Sequence, residues 1–276
     1  MKNKQFTDIR TNYLFFILIF FNGIGFFVLN SIIQNNQDKF FSFLQISLFW
    51  LLLISLFITT IFLLIYFFIV FRMRLYKNRE DMDKKIIIQS LNTFANFIDA
   101  KDSYTKGHST RVALYSHEIA KRMKLTEKEM DIYYAALLHD VGKVGIHNEI
   151  LDKLDELNDE EWQTIKMHTI IGEDILKDFT ILPDIIDGAK YHHERYDGLG
   201  YPSGLKGKDI PLCARIICVA DSYDAMSSDR NYRKKMDYDE IVEELYKYSG
   251  TQFDPDITIH MISMIEDGFV NEIQKV

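Results

Sequence analysis

Two long segments near the N-terminus contain no charged residue, and they constrain the fold more than any other feature of the sequence. Charge is absent from residues 11–37 and again from residues 40–71, where Phe, Leu and Ile predominate. A bilayer core about 30 Å thick is crossed by about 20 apolar residues in a helix. Buried helices of a soluble core would show charges that interrupt such runs. The sequence therefore predicts a hairpin of two transmembrane helices, at about residues 11–33 and 43–71.

Basic residues flank this hairpin on both sides. Three precede the first segment within residues 2–10, and four follow the second segment within residues 72–79. Cytoplasmic flanks of membrane proteins are enriched in Lys and Arg, so both termini are expected in the cytoplasm. The connector at residues 34–39 is too short to fold into an external sensor domain.

The rest of the chain is strongly acidic. Residues 1–79 carry 8 basic and 2 acidic residues, whereas residues 80–276 carry 24 basic and 38 acidic residues. A domain with such an excess of negative charge repels the phosphate backbone of a nucleic acid polymer. DNA and RNA are therefore not expected as partners. The two cysteines, Cys213 and Cys218, fit no zinc-binding pattern and are expected in the core.

Apolar residues beyond the hairpin recur with helical spacing. Ile87, Leu91, Phe94 and Ile98 define a narrow stripe, which predicts a helical stalk over residues 73–100 that leads into the domain. We expect this stripe to pair with a second copy of the chain. The protein is accordingly expected to be a homodimer.

Helical periodicity continues towards the C-terminus. One helix is predicted over residues 111–123. Thr126 followed by Glu129, and Asn158 followed by Glu161, resemble the capping boxes that begin helices. No segment alternates apolar and polar residues in the manner of a half-buried strand. The fold class predicted for the cytosolic part is therefore all-α.

Histidines and aspartates occur at five places within or beside the predicted helices. They are His108, the doublet His139–Asp140, His168, the doublet His192–His193, and Asp221. A lone histidine is more often a hydrogen-bonded core residue than a ligand, but burying so many imidazoles and carboxylates together is costly without metal. Neighbouring residues on a helix diverge by about 100°, so each doublet could serve two nearby ions. The set predicts two divalent metal ions, with iron, manganese or zinc favoured over magnesium.

Three sequence blocks, LLHDVGK, YHHERYDGLGYPSGLKG and VADSYDAM, resemble the HD-GYP family in their order and spacing. HD-GYP proteins are an all-α branch of the HD superfamily, and they cleave the bacterial second messenger cyclic di-GMP with bound metals. The resemblance runs from about residue 86 to residue 269 and implies an HD-superfamily helical domain at residues 86–276. The charge-free segments predict the membrane anchor at residues 1–72 that precedes this domain. Together, the anchor, its basic flanks and the bacterial messenger predict a multi-pass protein of the bacterial inner membrane with its catalytic domain in the cytoplasm.

The resemblance assigns roles to individual residues. The metal ligands that it implies are His108, His139, Asp140, His168, His192, His193 and Asp221. Lys143 matches a lysine implied to contact the substrate phosphate or the attacking water, and it joins Asp140 as a catalytic candidate. Arg230 and Arg233 match basic residues implied to hold the substrate phosphates.

Tyr104 bears on the number of metals. It lies four residues before His108, where some family members carry a glutamate that recruits a third metal. A neutral phenol, with an ordinary pKa of about 10, is a poor ligand beside a carboxylate. Two metals rather than three are therefore expected, with iron or manganese as the first choice.

The activity implied by the resemblance is hydrolysis of cyclic di-GMP to linear pGpG, with GMP as the product of a second cleavage. The attacking group would be a bridging water that the metals make more acidic. Three alternatives stay open: another cyclic dinucleotide as substrate, a nucleotide phosphohydrolase of the HD superfamily, and a catalytically silent receptor that signals to a protein partner.

Overall fold

The computed structural model describes most of the chain beyond the first predicted membrane segment. The described residues are 23–28, 30–31, 39–101, 107–153, 155–179, 182–229 and 234–274. Among them the regular secondary structure is helical, without a strand, which confirms the all-α prediction. The chain divides into two units, Met1–Asp83 and Lys84–Val276.

The helix α1 is the longest element and runs from Lys39 to Asp99. By length and composition it could cross a membrane: its most apolar window has a mean hydropathy of 2.8 and is not buried against other described residues. The predicted span at residues 43–71 lies within this helix. Most of the other predicted span, residues 11–33, lies outside the described residues, so the two-helix hairpin stays a prediction.

Ten shorter helices follow α1 in the part of the chain that the structure describes. They are α2 His108–Arg122, α3 Glu129–Leu137, α4 Asn148–Leu151, α5 Asp159–Lys166, α6 His168–Leu176, α7 Pro183–Tyr191, α8 Leu212–Ser227, α9 Tyr238–Tyr248, α10 Pro255–Glu266 and α11 Val270–Ile273. Two short 3-10 helices, Val141–Gly145 and Gly207–Asp209, lie between them.

Two predicted helix starts can be compared with the structure. The capping box is present at Asn158, whose Oδ1 accepts the backbone N–H of Glu161 at 2.9 Å, while the Glu161 carboxylate accepts the backbone N–H of Asn158 at 2.9 Å. The predicted cap at Thr126 is wrong, because α3 begins only at Glu129 and has no side-chain cap. Residues 125–128 first form a turn, which places Thr126 one turn too early.

The core of the second unit forms where α2, α3, α7 and α8 pack against one another. Val112, Leu137, Ile185 and Ile217, one from each helix, are fully buried. Burying one such side chain contributes about 1.5–3 kcal/mol. Both cysteines are buried in this core, as predicted.

The last turns of α1 belong to the same core. Leu91 and Ile98 are buried, whereas Ile87 and Phe94 are exposed together with Phe97. The prediction that the whole stripe contacts a second copy is therefore wrong for Leu91 and Ile98, which pack into the core of their own chain. Successive residues of the stripe are rotated from one another by tens of degrees around the helix. Leu91 and Ile98 therefore face the core, whereas Ile87 and Phe94 face away from it.

Candidate metal centre

The candidate metal centre is built mainly from residues at helix ends of the second unit. His108 begins α2, His139–Asp140 follow α3, His168 begins α6, His192–His193 follow α7, and Asp221 lies within α8. Because these helices pack around one core, their ends meet in one place. The side chains are buried or half-buried.

The structure brings all seven predicted ligands together. They form three overlapping groups: His108, His139 and Asp221; His139, Asp140 and His192; and His168, His192 and His193. Within each group the candidate ligand atoms lie within 4.8 Å of one another. The groups share members, so the residues make up one continuous cluster.

The carboxylate of Asp140 lies between two pairs of imidazoles. Its Oδ2 is 3.3 Å from His139 Nε2 and 3.8 Å from His108 Nε2. Its Oδ1 is 3.6 Å from His168 Nε2 and 3.9 Å from His192 Nε2. Each oxygen therefore faces a different pair of histidines, which is the arrangement that a carboxylate bridging two cations requires.

Backbone carbonyl groups orient three of the imidazoles. The Nδ1–H groups of His139 and His168 each donate to a carbonyl oxygen three residues earlier, both at 2.6 Å. The Nδ1–H of His192 donates to the carbonyl oxygen four residues earlier, at 2.9 Å. A carbonyl can only accept, so Nδ1 carries a proton in each ring, and Nε2 is the nitrogen that offers a lone pair to a ligand when the ring is neutral. Burial disfavours the charged form of His139, but the charge of Asp140 outweighs burial and raises the pKa of His139, so a cation would displace a proton there.

The surroundings of these Nε2 atoms show whether the residues fit a metal. His168 Nε2 and His192 Nε2 lie 3.3 Å apart, and His139 Nε2 is buried without a hydrogen-bond partner among the described residues. Facing lone pairs repel, and a buried acceptor without a partner costs free energy. A divalent cation would bind these nitrogens and remove both penalties, so the residues fit a metal with imidazole and carboxylate ligands.

Three histidines are held neutral. Burial lowers the pKa of His168 and, together with the neighbouring imidazoles, lowers the pKa of His192 well below its ordinary value. Burial and the neighbouring His168 lower the pKa of His193 to about 3. Neutral imidazole is the form that binds a metal, so this side of the centre is ready for a cation at neutral pH.

The opposite side of the centre has carboxylates beside its histidines. Burial disfavours the charged form of His108, but the carboxylates of Asp221 and Asp224 outweigh it and raise the pKa of His108 to about 10. His108 Nε2 is 3.3 Å from Asp221 Oδ1. Burial opposes ionisation of Asp221, but the hydrogen bond and charge of His108 lower the pKa of Asp221 below its usual range.

Lys143 is the predicted substrate-contacting residue that the structure places at the centre. Its Nζ lies 2.9 Å from Asp140 Oδ2. Burial alone would raise the pKa of Asp140, but Lys143 and His139 lower it well below the ordinary value. Three other residues used in the predictions, Tyr104, Arg230 and Arg233, lie outside the described residues.

Asp224 is a site residue that sequence reasoning missed. Its Oδ2 accepts the Nδ1–H of His108 at 2.8 Å. Both of its oxygens also accept from Arg111, at 2.7 Å from Nε and 2.9 Å from Nη2. The spacing could have indicated it, because Asp224 lies three residues after Asp221 and therefore close to the same face of α8.

Glu194 was also missed, although it directly follows the histidine doublet. Its buried carboxylate accepts the backbone N–H groups of residues 203–205, at 2.7, 3.0 and 3.1 Å. The loop folds back so that the Tyr201 ring stacks on the His193 ring, with centroids 4.8 Å apart and planes 27° apart. At Gly200 a Cβ atom would collide with the backbone of residues 193–195, so glycine is required for this close approach.

Known proteins share both the sequence and the fold of this region. The HD domain family profile matches residues 92–257. The 3'3'-cGAMP-specific phosphodiesterase 3 of Vibrio cholerae is 39% identical over 167 residues, which are 60% of this chain and 36% of that protein. A cyclic di-GMP phosphodiesterase of Thermotoga maritima is 39% identical over 174 residues, which are 62% of this chain and 46% of that protein. The chain thus spans less than half of the length of either relative.

One solved structure supports the fold. The crystal structure of a cyclic GMP-AMP specific phosphodiesterase of V. cholerae aligns with a TM-score of 0.53 and 18% sequence identity. The alignment covers 65% of this chain and 49% of that chain. At this identity the likeness concerns the helical fold alone.

Proposed function

The chain belongs to the HD domain family, and from that membership we propose that the unit Lys84–Val276 is a metal-dependent phosphodiesterase for cyclic dinucleotides. Both curated relatives described above carry the name of such an enzyme. The observation that carries the proposal is the carboxylate of Asp140, because its two oxygens face two different pairs of imidazoles. A phosphodiester cleaved between two cations needs this kind of centre.

Two divalent cations, iron or manganese in the first place and zinc as an alternative, suit this ligand set. The residues that would hold them are His108, His139, Asp140, His168, His192, His193 and Asp221. When bound, the cations supply Lewis acidity, which lowers the pKa of a water molecule and offsets the negative charge of a phosphate.

The chain itself supplies orientation and one further positive charge. Carbonyl groups hold the Nε2 atoms of three histidines towards the cluster, and Asp224 does the same for His108. The ammonium of Lys143 lies beside Asp140, where it would attract a non-bridging phosphate oxygen. We propose that Arg230 and Arg233 hold the other phosphate of the substrate.

The test measures turnover of cyclic di-GMP by the full-length protein in detergent. The protein is loaded with Mn²⁺, or with Fe²⁺ under anaerobic conditions. We expect linear pGpG as the product, and chromatography at longer times shows whether GMP follows. Asp140→Ala should abolish turnover because it removes the bridging carboxylate. Tight binding without turnover by the metal-loaded wild type would identify a receptor, and the absence of both would contradict the proposal.

The second candidate substrate is 3'3'-cGAMP. It is favoured by the 39% identity to a V. cholerae enzyme whose name specifies that compound. The ratio of kcat/KM for the two dinucleotides, measured on one metal-loaded preparation, decides between them. A ratio above about ten in favour of cyclic di-GMP would support the first candidate.

We also propose that the protein is anchored in the bacterial inner membrane as a multi-pass protein with both termini cytoplasmic. The apolar stretch of α1 and the basic residues that flank the two charge-free segments support this topology. A reporter fused to the C-terminus should be active in the cytoplasm. Export of the reporter would contradict the topology.

A homodimer through the last turns of α1 is a further proposal. Ile87, Phe94 and Phe97 form an exposed apolar face there, and a shared membrane would raise the local concentration of a second copy. Replacing Phe94 and Phe97 with glutamate should shift the detergent-solubilised protein towards monomer in analytical ultracentrifugation. A wild type that is monomeric at every concentration would contradict the dimer.

A further inference from the structure

Two aromatic rings and one lysine, Tyr201, Trp162 and Lys166, form a group that has no part in the mechanism proposed above. The Tyr201 ring stacks on His193, and Lys166 Nζ lies 5.5 Å from the centroid of the Tyr201 ring. The same Nζ lies 5.7 Å from the centroid of the Trp162 ring. One ammonium group therefore lies close to both rings.

The position of Trp162 is not explained by packing. The helix α5 contains no buried residue, and 44% of the Trp162 surface is exposed. Single exposed apolar side chains are common on protein surfaces. Trp162 differs because the ammonium of Lys166, one helical turn later, lies close both to its ring and to the Tyr201 ring that covers His193. A large, partly exposed aromatic surface is thus connected through Lys166 and Tyr201 to the candidate ligand His193.

We propose that Trp162 and Lys166 form a nucleobase subsite, in which a purine of the substrate stacks on the indole while the lysine ammonium attracts the adjoining phosphate. The subsite rests on the proposed function, because it requires a cyclic dinucleotide whose scissile phosphate lies at the cations. Every base has an aromatic face, so stacking tolerates guanine and adenine alike. Trp162 therefore contributes affinity for cyclic di-GMP and for 3'3'-cGAMP to similar extents, and selection between them occurs elsewhere.

The kinetic test uses the full-length, Mn²⁺-loaded protein with both dinucleotides. Trp162→Ala should raise KM roughly 5- to 150-fold for each, the range that corresponds to the loss of one stacked base. Because Trp162 does not touch the scissile phosphate, kcat should change less than about twofold. Trp162→Phe should recover most of the affinity, since it retains an aromatic face.

Tyr246→Ala is the matched control, because Tyr246 is an exposed aromatic residue on α9 that is 59% exposed. The Tyr246→Ala change should leave both KM and kcat unchanged. An unchanged KM in Trp162→Ala would overturn the subsite. So would a fall in kcat together with loss of bound metal, since Trp162 would then support the centre itself.

A binding measurement separates failure of the subsite from failure of the proposed activity. The chain has two tryptophans, so Trp50→Phe leaves Trp162 as the single fluorescent indole. A hydrolysis-resistant phosphorothioate analogue of cyclic di-GMP should quench its emission in a saturable manner, whereas inorganic phosphate should not. If the wild type hydrolyses no dinucleotide, the proposed function is wrong while saturable quenching still supports the subsite. The absence of saturable quenching overturns the nucleobase subsite.

Discussion

At the scale of single residues, Asp224 connects a candidate metal ligand to a positive charge. Its carboxylate is 2% exposed and accepts hydrogen bonds from both His108 and Arg111. The bond to Nδ1 of His108 leaves Nε2 directed at the cluster. Partners of this kind hold a ligating imidazole in one tautomer and one orientation.

Asp224→Asn should weaken metal binding at His108 by about 10- to 100-fold, the usual effect of removing such a partner. An amide keeps the shape of the carboxylate but cannot accept charged hydrogen bonds from both neighbours with equal strength. Calorimetric titration with Mn²⁺ measures the affinity. Stability should also fall by roughly 1.5–3 kcal/mol, because Arg111 loses a charged partner.

Asp267→Asn is the matched control for that change. Asp267 also accepts from an arginine, with Arg122 Nη1 at 2.7 Å, but its side chain is 48% exposed. Exposed pairs contribute little, so metal affinity and stability should stay close to those of the wild type. An Asp224→Asn protein with unaltered metal affinity would show that the carboxylate does not position His108.

The raised pKa of His108 predicts a pH dependence of metal binding. Asp221 and Asp224 outweigh the effect of burial and raise the pKa of His108 to about 10. With no cation bound, His108 therefore stays protonated at neutral pH. A metal requires the neutral ring, so binding at neutral pH releases this proton. The affinity should therefore rise by up to about tenfold per pH unit above pH 7 and fall as the pH is lowered. Calorimetry in buffers of different ionisation enthalpy counts the released protons, and a count of zero at pH 7 would contradict the prediction.

At the scale of elements, the loop after α7 depends on one acidic side chain. Glu194 accepts three consecutive backbone N–H groups of residues 203–205. These bonds return the loop to the histidine doublet and keep Tyr201 on His193. Without the carboxylate, these three N–H groups would lose a charged acceptor, and only water could replace it.

Glu194→Ala should release this loop while leaving the helices intact. Faster hydrogen exchange is expected at residues 198–206, together with lower activity because Tyr201 no longer covers His193. Glu173→Ala is a suitable control, since Glu173 pairs with Lys190 at the surface and is not part of the loop. Unchanged exchange in the loop of Glu194→Ala would show that the backbone conformation persists without the carboxylate.

At the scale of the whole molecule, the centre joins five helices that are far apart in the sequence. A cation that binds only the folded unit stabilises it by mass action, by about 2.7 kcal/mol when free metal exceeds Kd a hundredfold. Chelation should therefore lower the thermal midpoint of the unit Lys84–Val276 without changing its helix content at 25 °C. His139→Ala should abolish most of this difference. Equal midpoints with and without chelator would argue against a structural contribution from metal.

Much of the architecture follows from local patterns. Apolar spacing predicts the all-α class, and Asn158 with Glu161 marks the start of α5 correctly, because capping depends on residues only three apart. The cap at Thr126 failed because a turn intervenes before α3. The stripe on α1 failed because periodicity shows that residues share a helix face but not what that face contacts.

The sequence by itself determined the helical class, the charge-free segments and the identity of the seven candidate ligands, since residue type and spacing carry this information. Only the tertiary structure decided how the Asp140 oxygens are shared between histidine pairs, that Asp224 supports His108, and that the ammonium of Lys166 lies close to the Tyr201 ring. These are contacts between residues as much as 116 positions apart, as for His108 and Asp224. They depend on how helices pack around the common core, and local periodicity contains no information about that packing.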